Sequence, residues 1–155
     1  MTNKQLYAQF CESNPDLPLF MRDWWLDAVC AGKQWDAFIE KDANGEICAA
    51  LPYLFRTRAR MNYIVMPQMT QIGGLWLRND IRNDAQAVKR VCASLNEQLL
   101  SLKLCYYYQQ YPLHSIAPQA MQELGFKLTK RITYRIEDLT DLDKVINGFS
   151  KKKKR

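Results

Sequence analysis

Residues 35–55 read WDAFIEKDANGEICAALPYLF, and the reading of this stretch decides the fold. Two runs of strand-forming residues flank Asn44-Gly45, a pair that favours the positive backbone angles of a tight hairpin turn. The stretch therefore predicts two antiparallel strands. In the second strand Ile47, Ala49 and Leu51 fall on one pleat face, and Cys48, Ala50 and Leu54 fall on the other. A strand that is apolar on both faces must be covered on both, so helices are expected on each side of a central sheet.

The flanking sequence supplies those helices. Upstream, Thr2 and Gln5 have the spacing of a capping box, and Leu6/Phe10 with Tyr7/Cys11 follow a helical period. Pro15 and Pro18 end that helix. A second is predicted through FMRDWWLDAVCAG (20–32), with Gly32 at its left-handed stop. Adjacent helix positions differ by about 100°, so Trp24 and Trp25 cannot face one core. Trp24, in line with Phe20 and Ala28, is assigned to the sheet. Trp25 is left for a second contact, either the first helix or a partner domain.

Downstream, Arg56, Arg58 and Arg60 alternate, MNYIVM (61–66) reads as a short strand, and 67–76 is irregular with some strand character. From 83 to 102 the stripe Val88, Val91, Cys92, Leu95, Leu99 and Leu102 marks a helix, with Asn83 and Gln86 at its start. LCYYYQQY (104–111) predicts a strand, SIAPQAMQELG (115–125) a helix closed by Gly125, FKLTKRITYRIE (126–137) a strand, and 141–149 a final helix. The order α-α-β-β-β-(β)-α-β-α-β is that of a mixed α/β domain.

The chain has 155 residues, four Trp, eight Tyr and six Phe, which argues against disorder. Its net charge is +6, of which Lys151–Arg155 carry five, leaving +1 for the other 150 residues. A nucleic-acid-binding fold spreads its basic excess over a face of the body, so no stable nucleic-acid binding by the body is expected. The start, MTNKQLYAQF, lacks the pattern of a secretory signal, and no apolar run is long enough for a membrane span. Five scattered cysteines without a C-x-x-C pair fit buried free thiols in a reducing cytoplasm, with no metal site and no disulfide framework.

Few residues announce chemistry. The single histidine, His114, sits in a loop without a visible partner, so no nucleophilic triad follows. Asp27, Glu40, Glu46 and Glu137 are scattered carboxylates that spacing does not select, and the catalytic residue stays unknown. Tyr106-Tyr107-Tyr108 cannot form one stacking platform, because successive strand residues point to opposite faces. Gln71-Ile-Gly-Gly-Leu-Trp76 comes close to the Q-x-x-G-x-G/A loop that cradles the pyrophosphate of acetyl-coenzyme A. Such a loop presents backbone N–H groups at a helix start. Here Trp76 takes the last position, and LRNDIRND, directly before the long helix, has no glycine.

The order of elements resembles the GNAT (N-acetyltransferase) fold, a largely antiparallel mixed sheet with helices on both faces. The words LPLFMRDWWLDAVC, AALPYLF, MPQMTQIGG, LGF and ITYRIEDL resemble the N-terminal half of bacterial FemAB-like acyltransferases, which carry two GNAT-like domains in tandem. The resemblance runs from about Leu6 to the end. In that family a Thr-Tyr-x-Ile-Glu-Asp-Leu strand and a short helix lead through a Phe-Ser/basic segment into the second domain. Thr133, Tyr134, Ile136, Glu137, Asp138, Leu139, Phe149 and Ser150 follow that order.

The resemblance thus implies one GNAT-like domain over 1–150, with 151–155 as the basic stump of a junction to a missing C-terminal GNAT-like domain. It implies transfer of an acyl or aminoacyl group to an amine, on a small molecule or a peptidoglycan precursor. The donor would be acetyl-coenzyme A or aminoacyl-tRNA, with no cofactor held by this half, which would shape the acceptor site and be inactive alone. Met66, Met69, Thr70 and Gln71 are the expected substrate-binding residues, the polar pair facing a groove floored by a methionine. Two alternatives stand beside this reading. One is a complete single-domain N-acetyltransferase with a degenerate phosphate loop, and the other a basic-tailed RNA- or membrane-associated module without enzymatic activity.

Overall fold

A computed structural model describes residues 1–31, 35–132, 136 and 138–149. Along the chain lie α1 (Asn3–Ser13), a 3-10 turn (Leu19–Met21), α2 (Asp23–Val29), β1 (Trp35–Lys41), β2 (Ile47–Arg58), β3 (Met61–Val65) and β4 (Trp76–Leu77). They are followed by α3 (Asn79–Arg82), α4 (Ala85–Ser101), β5 (Leu104–Tyr107), α5 (Ala117–Glu123) and α6 (Leu142–Gly148). The sheet runs β1-β2-β3-β5, with β4 also on β2. Only β3 and β5 are parallel among the described strands, so the sheet is mixed and largely antiparallel.

Both faces of β2 are covered as expected, but Ile47 packs with the Ala50 side and not with Ala49 and Leu51, because the bulge opposite Glu40 and Lys41 breaks the alternation. Leu51 and Tyr53, with Phe38 and Ile64, join Val88, Cys92, Leu95 and Leu99 of α4 and Met121 of α5 in one core. Ala50, with Trp35 and Ala37, joins Tyr7, Phe10 and Cys11 of α1 in the other. Leu51, Ile64 and Leu95 are almost fully enclosed. Burying a side chain of that size contributes about 1.5–3 kcal/mol. On α1 the capping box forms as expected: Gln5 N–H donates to Thr2 Oγ1 at 3.3 Å, and Thr2 N–H donates to Gln5 Oε1 at 2.9 Å.

The hairpin turn differs from the two-residue form. Residues 42–46 form the connection, and Asp42 organises it by accepting from the N–H groups of Asn44 and Glu46. Gly45 alone has positive φ there, and a bulge lies between Glu40 and Lys41. The two-residue hairpin is instead Ala59-Arg60, joining the Arg58↔Met61 pair. Both residues have positive φ, 50° and 65°, a conformation that Asn and Gly adopt at less cost. Replacing Ala59 with Asn and Arg60 with Gly is expected to stabilise the chain by about 1 kcal/mol, raising the melting temperature by roughly 3 °C. A thermal scan showing no rise would mean that the turn is not strained.

Helix α2 corrects the assignment of Trp24. Arg22 is extended (φ −69°, ψ 138°) and separates Phe20 from the helix, so the period counted from Phe20 does not continue. Its guanidinium instead donates to the carbonyls of Cys11, Pro15 and Leu17, fastening the connection after α1. Leu26 is the buried residue of α2, while Trp24 is 56% exposed and Ala28 is also exposed. Trp25, expected against the first helix or a partner domain, instead lies edge-on to Phe20 of the 3-10 turn and donates to Thr70 Oγ1.

Other boundaries shift too. The cap of α4 is Asp84, not Asn83. Cys105 is exposed, unlike buried Cys11, Cys48 and Cys92. Residues 126–132 form no strand ladder, since no other strand pairs with the far edge of β5 among the described residues. The rest of that predicted strand at 133–135 and 137, the stop at Gly32, the carboxylate of Glu137 and the stretch 150–155 lie outside the described residues.

Candidate functional site

An interruption in the sheet creates the candidate site. β3 follows β2 from Met61 opposite Arg58 to Val65 opposite Leu54. If that ladder continued, residue 69 would stand opposite Ala50; Trp76 stands there instead. The chain therefore leaves the sheet and returns to the same track seven residues late. Pro52 lies in the resulting gap, where no strand needs its missing N–H. Its carbonyl accepts from Gln109 Nε2 at 3.3 Å.

The excursion, residues 66–75, packs against the segment that prolongs β5. Tyr108 N–H donates to Ile64 O at 2.9 Å, extending the parallel pairing by one step. Gln110 N–H then meets Met66 Sδ at 3.4 Å, and Gly73 N–H donates to Gln110 O at 2.8 Å. With its amide oriented to satisfy both ends, the Gln110 side chain donates to Gln71 O and accepts from Tyr108 Oη and Arg131 Nη1. Gly73 and Gly74 are needed for the fit. A Cβ on Gly73 would lie 3.0 Å from Gln109 Oε1, and one on Gly74 would lie 2.6 Å from Tyr111 Cδ1. Behind them the Tyr107 and Tyr111 hydroxyls are 3.3 Å apart, and burial pushes both phenols up, that of Tyr111 to about 12.

The four expected site residues are near one another in sequence but not alike in placement. Thr70 is buried; its hydroxyl accepts from Trp25 Nε1 at 3.1 Å and donates to Gln68 O, so it does not line an open groove. Gln71 is exposed at the surface. Met66 is half-buried and touches the Gln110 amide, while Met69 is 83% exposed with φ +58°. The residues that meet around the loop, Gln109, Gln110, Tyr111 and Arg131, went unremarked in the sequence. The signal available was polar: Gln109 and Gln110 separate Tyr106-Tyr107-Tyr108 from Tyr111 in a segment otherwise aromatic or apolar.

At the start of α4 the backbone N–H groups of Gln86 and Ala87 both donate to Asp84 Oδ1. These are the groups a phosphate would need at a helix start. The chain's own carboxylate occupies them, and its negative charge repels a second anion. The fit with a pyrophosphate is therefore poor.

A separate cleft of about 770 Å³ opens between α1, the 42–46 turn and the β4–α3 segment. Of its three cations, Lys41, Arg78 and Arg82, Arg78 is already committed to Asp42 and Asp80, both at 2.8 Å, and holds the Asp80 carboxyl down to about 2. Among the described residues no group of three His, Cys, Asp or Glu side chains could hold a metal ion, and no helix is long and apolar enough to cross a membrane.

No protein-family model matches the sequence, and a search of curated proteins gives no match. Solved structures do match, acetyltransferases among them. The complex of AAC(6')-Iy with the bisubstrate analogue CoA-S-monomethyl-acetylneamine has a TM-score of 0.50 at 15% identity, covering 88% of this chain and 94% of that one. A probable acetyltransferase gives 0.49 at 8% identity, covering 89% and 90%. The ribosomal-protein-alanine N-acetyltransferase from Brucella melitensis biovar Abortus 2308 gives 0.48 at 10% identity, covering 88% and 94%. The fold of this chain is GNAT-like.

Proposed function

We propose that this domain belongs to an N-acyltransferase and shapes the acceptor side of acyl transfer to an amine, the donor being held by a second GNAT-like domain of a FemAB-like parent. Such a transfer needs an amine aligned with an activated acyl group, a donor of hydrogen bonds to the developing oxyanion, and a route for the proton. The observation that carries the reading is Asp84. A fold shared with N-acetyltransferases here closes the helix start that could take a donor's phosphates. In this reading Gln71 offers its exposed amide to the acceptor beside the Gln110–Tyr108–Arg131 cluster. Met66 packs beneath the loop, and Thr70 positions it through Trp25. Met69 belongs to the outer surface of the same turn.

Calorimetric titration tests this directly. Acetyl-coenzyme A is expected to give no measurable heat with the full chain. Micromolar affinity would overturn the assignment and favour a second reading, in which this domain alone is a complete N-acetyltransferase. That alternative draws on the span of the match with the AAC(6')-Iy complex, which reaches 94% of that chain.

A further inference from the structure

On the face of the sheet opposite α4, the apolar cluster built on α1 reaches across β1 to Ala50 of β2. Beyond it the strand register sets Arg56, Tyr63 and Tyr106 side by side on β2, β3 and β5. Their sequence neighbours Phe55, Ile64 and Tyr107 belong to the α4 core, so the pleat directs these three the other way. Tyr108 follows on the same face, its ring 6.4 Å from that of Tyr106 with the planes 19° apart. The Arg131 guanidinium lies 5.6 Å from the Tyr108 centroid. Tyr106 is 54% exposed, Arg56 and Arg58 are exposed, and no carboxylate among the described residues forms an ion pair with either arginine.

We infer that this row binds single-stranded nucleic acid, with bases stacked on Tyr63 and Tyr106 and phosphates held by Arg56 and Arg58. Neighbouring strands stand about 4.8 Å apart, so residues paired across them present side chains at intervals that successive unstacked bases can follow with modest adjustment. The unpaired arginines supply the complementary charge. In a duplex the base faces are already stacked on each other, so the platform selects single strands. The expectation of no binding by the body rested on its net charge of +1, which says nothing about how that charge is distributed. Three consecutive tyrosines do fail to share a face; the two that share one gain Tyr63 from a strand some forty residues away. The inference invokes no step of acyl transfer, although Tyr108 and Arg131 also border the proposed acceptor position.

The test is fluorescence anisotropy of a short labelled oligouridylate with the full chain, and with a variant carrying glutamine at 151–155 to remove the terminal charge. The glutamine variant is expected to retain binding. In that background Tyr106→Ala is expected to weaken binding by about five- to a hundredfold. Arg56→Gln with Arg58→Gln is expected to reduce the slope of log affinity against log salt by about 1.4. An unchanged melting curve for Tyr106→Ala separates lost stacking from lost fold. Three outcomes would overturn the inference: no binding at low salt, binding abolished by the 151–155 change alone, or equal affinity for a duplex of the same length.

Discussion

Raising the pH from about 9 to about 12 is expected to unfold this chain cooperatively, because the native structure buries phenols and thiols in their protonated form. Tyr7 is fully enclosed and donates to Met21 O at 2.7 Å. Burial raises its phenol well above the ordinary value, as it does that of Tyr107, and pushes Tyr53 and Tyr111 to about 12. Burial also raises the thiols of Cys11 and Cys92 to about 11.

In the unfolded chain the same groups ionise at ordinary values, near 9 for the thiols and near 10 for the phenols. The unfolded state therefore loses protons first. The stability involved is fully present below those values and is lost progressively as pH rises from them through the native values, about 11 for the two thiols and about 12 for Tyr53 and Tyr111. Tyr111 alone, pushed to about 12, accounts for a few kcal/mol. Several such groups together match the ~5–15 kcal/mol by which domains are typically stable. The phenolate absorbance contributed by Tyr7, Tyr53, Tyr107 and Tyr111 should appear in one transition with the loss of far-ultraviolet circular dichroism. Phenols that all ionise near their ordinary value while the dichroism persists would contradict the buried placement.

Gly74→Ala is expected to be the most damaging single methyl in the chain, costing about 3–4 kcal/mol and lowering the melting temperature by roughly 10 °C. Two effects combine there. The backbone at φ +81° disfavours any side chain, and the new carbon would meet the Tyr111 ring at 2.6–3.1 Å. Gly45 separates them: it has a similar φ of +84° but open space around it, so Gly45→Ala should show only the backbone part, about 1 kcal/mol. Adding Tyr111→Leu to Gly74→Ala should recover part of the clash and none of the backbone cost. A change of only a degree or two for Gly74→Ala would mean that the 66–75 loop does not pack on Tyr111.

The sequence carried the sheet's class because the decisive information was local. Ile47 to Leu54 showed in eight residues that both faces are covered, and the α4 stripe was long enough for its period to be unmistakable. Trp24 was misplaced because an extended residue, Arg22, breaks the period within a single turn, and only tertiary bonds to Cys11, Pro15 and Leu17 show why. The site was harder to read. The cap moved from Asn83 to Asp84 by one position, and that one position puts a carboxylate on the amides of α4. The partnership of Gln110 with Gln71 and Arg131 joins three separate segments of the chain. No spacing rule connects such residues before the fold does.

The late return of the chain at Trp76 bears on the order of assembly. β1, β2 and β3 form a meander whose two connections are short, so they can pair while the rest of the chain is still loose. β4 gains only the Ala49↔Leu77 and Ala50↔Trp76 pairs on β2, yet it must first close the 66–75 loop. β5 cannot dock on β3 until α4 has crossed the sheet between them. Substitutions in the meander should therefore slow folding, whereas those at Gly73, Gly74 or Gln110 should mainly hasten unfolding. The same excursion that shapes the candidate site would be the last part to settle and the first to let go.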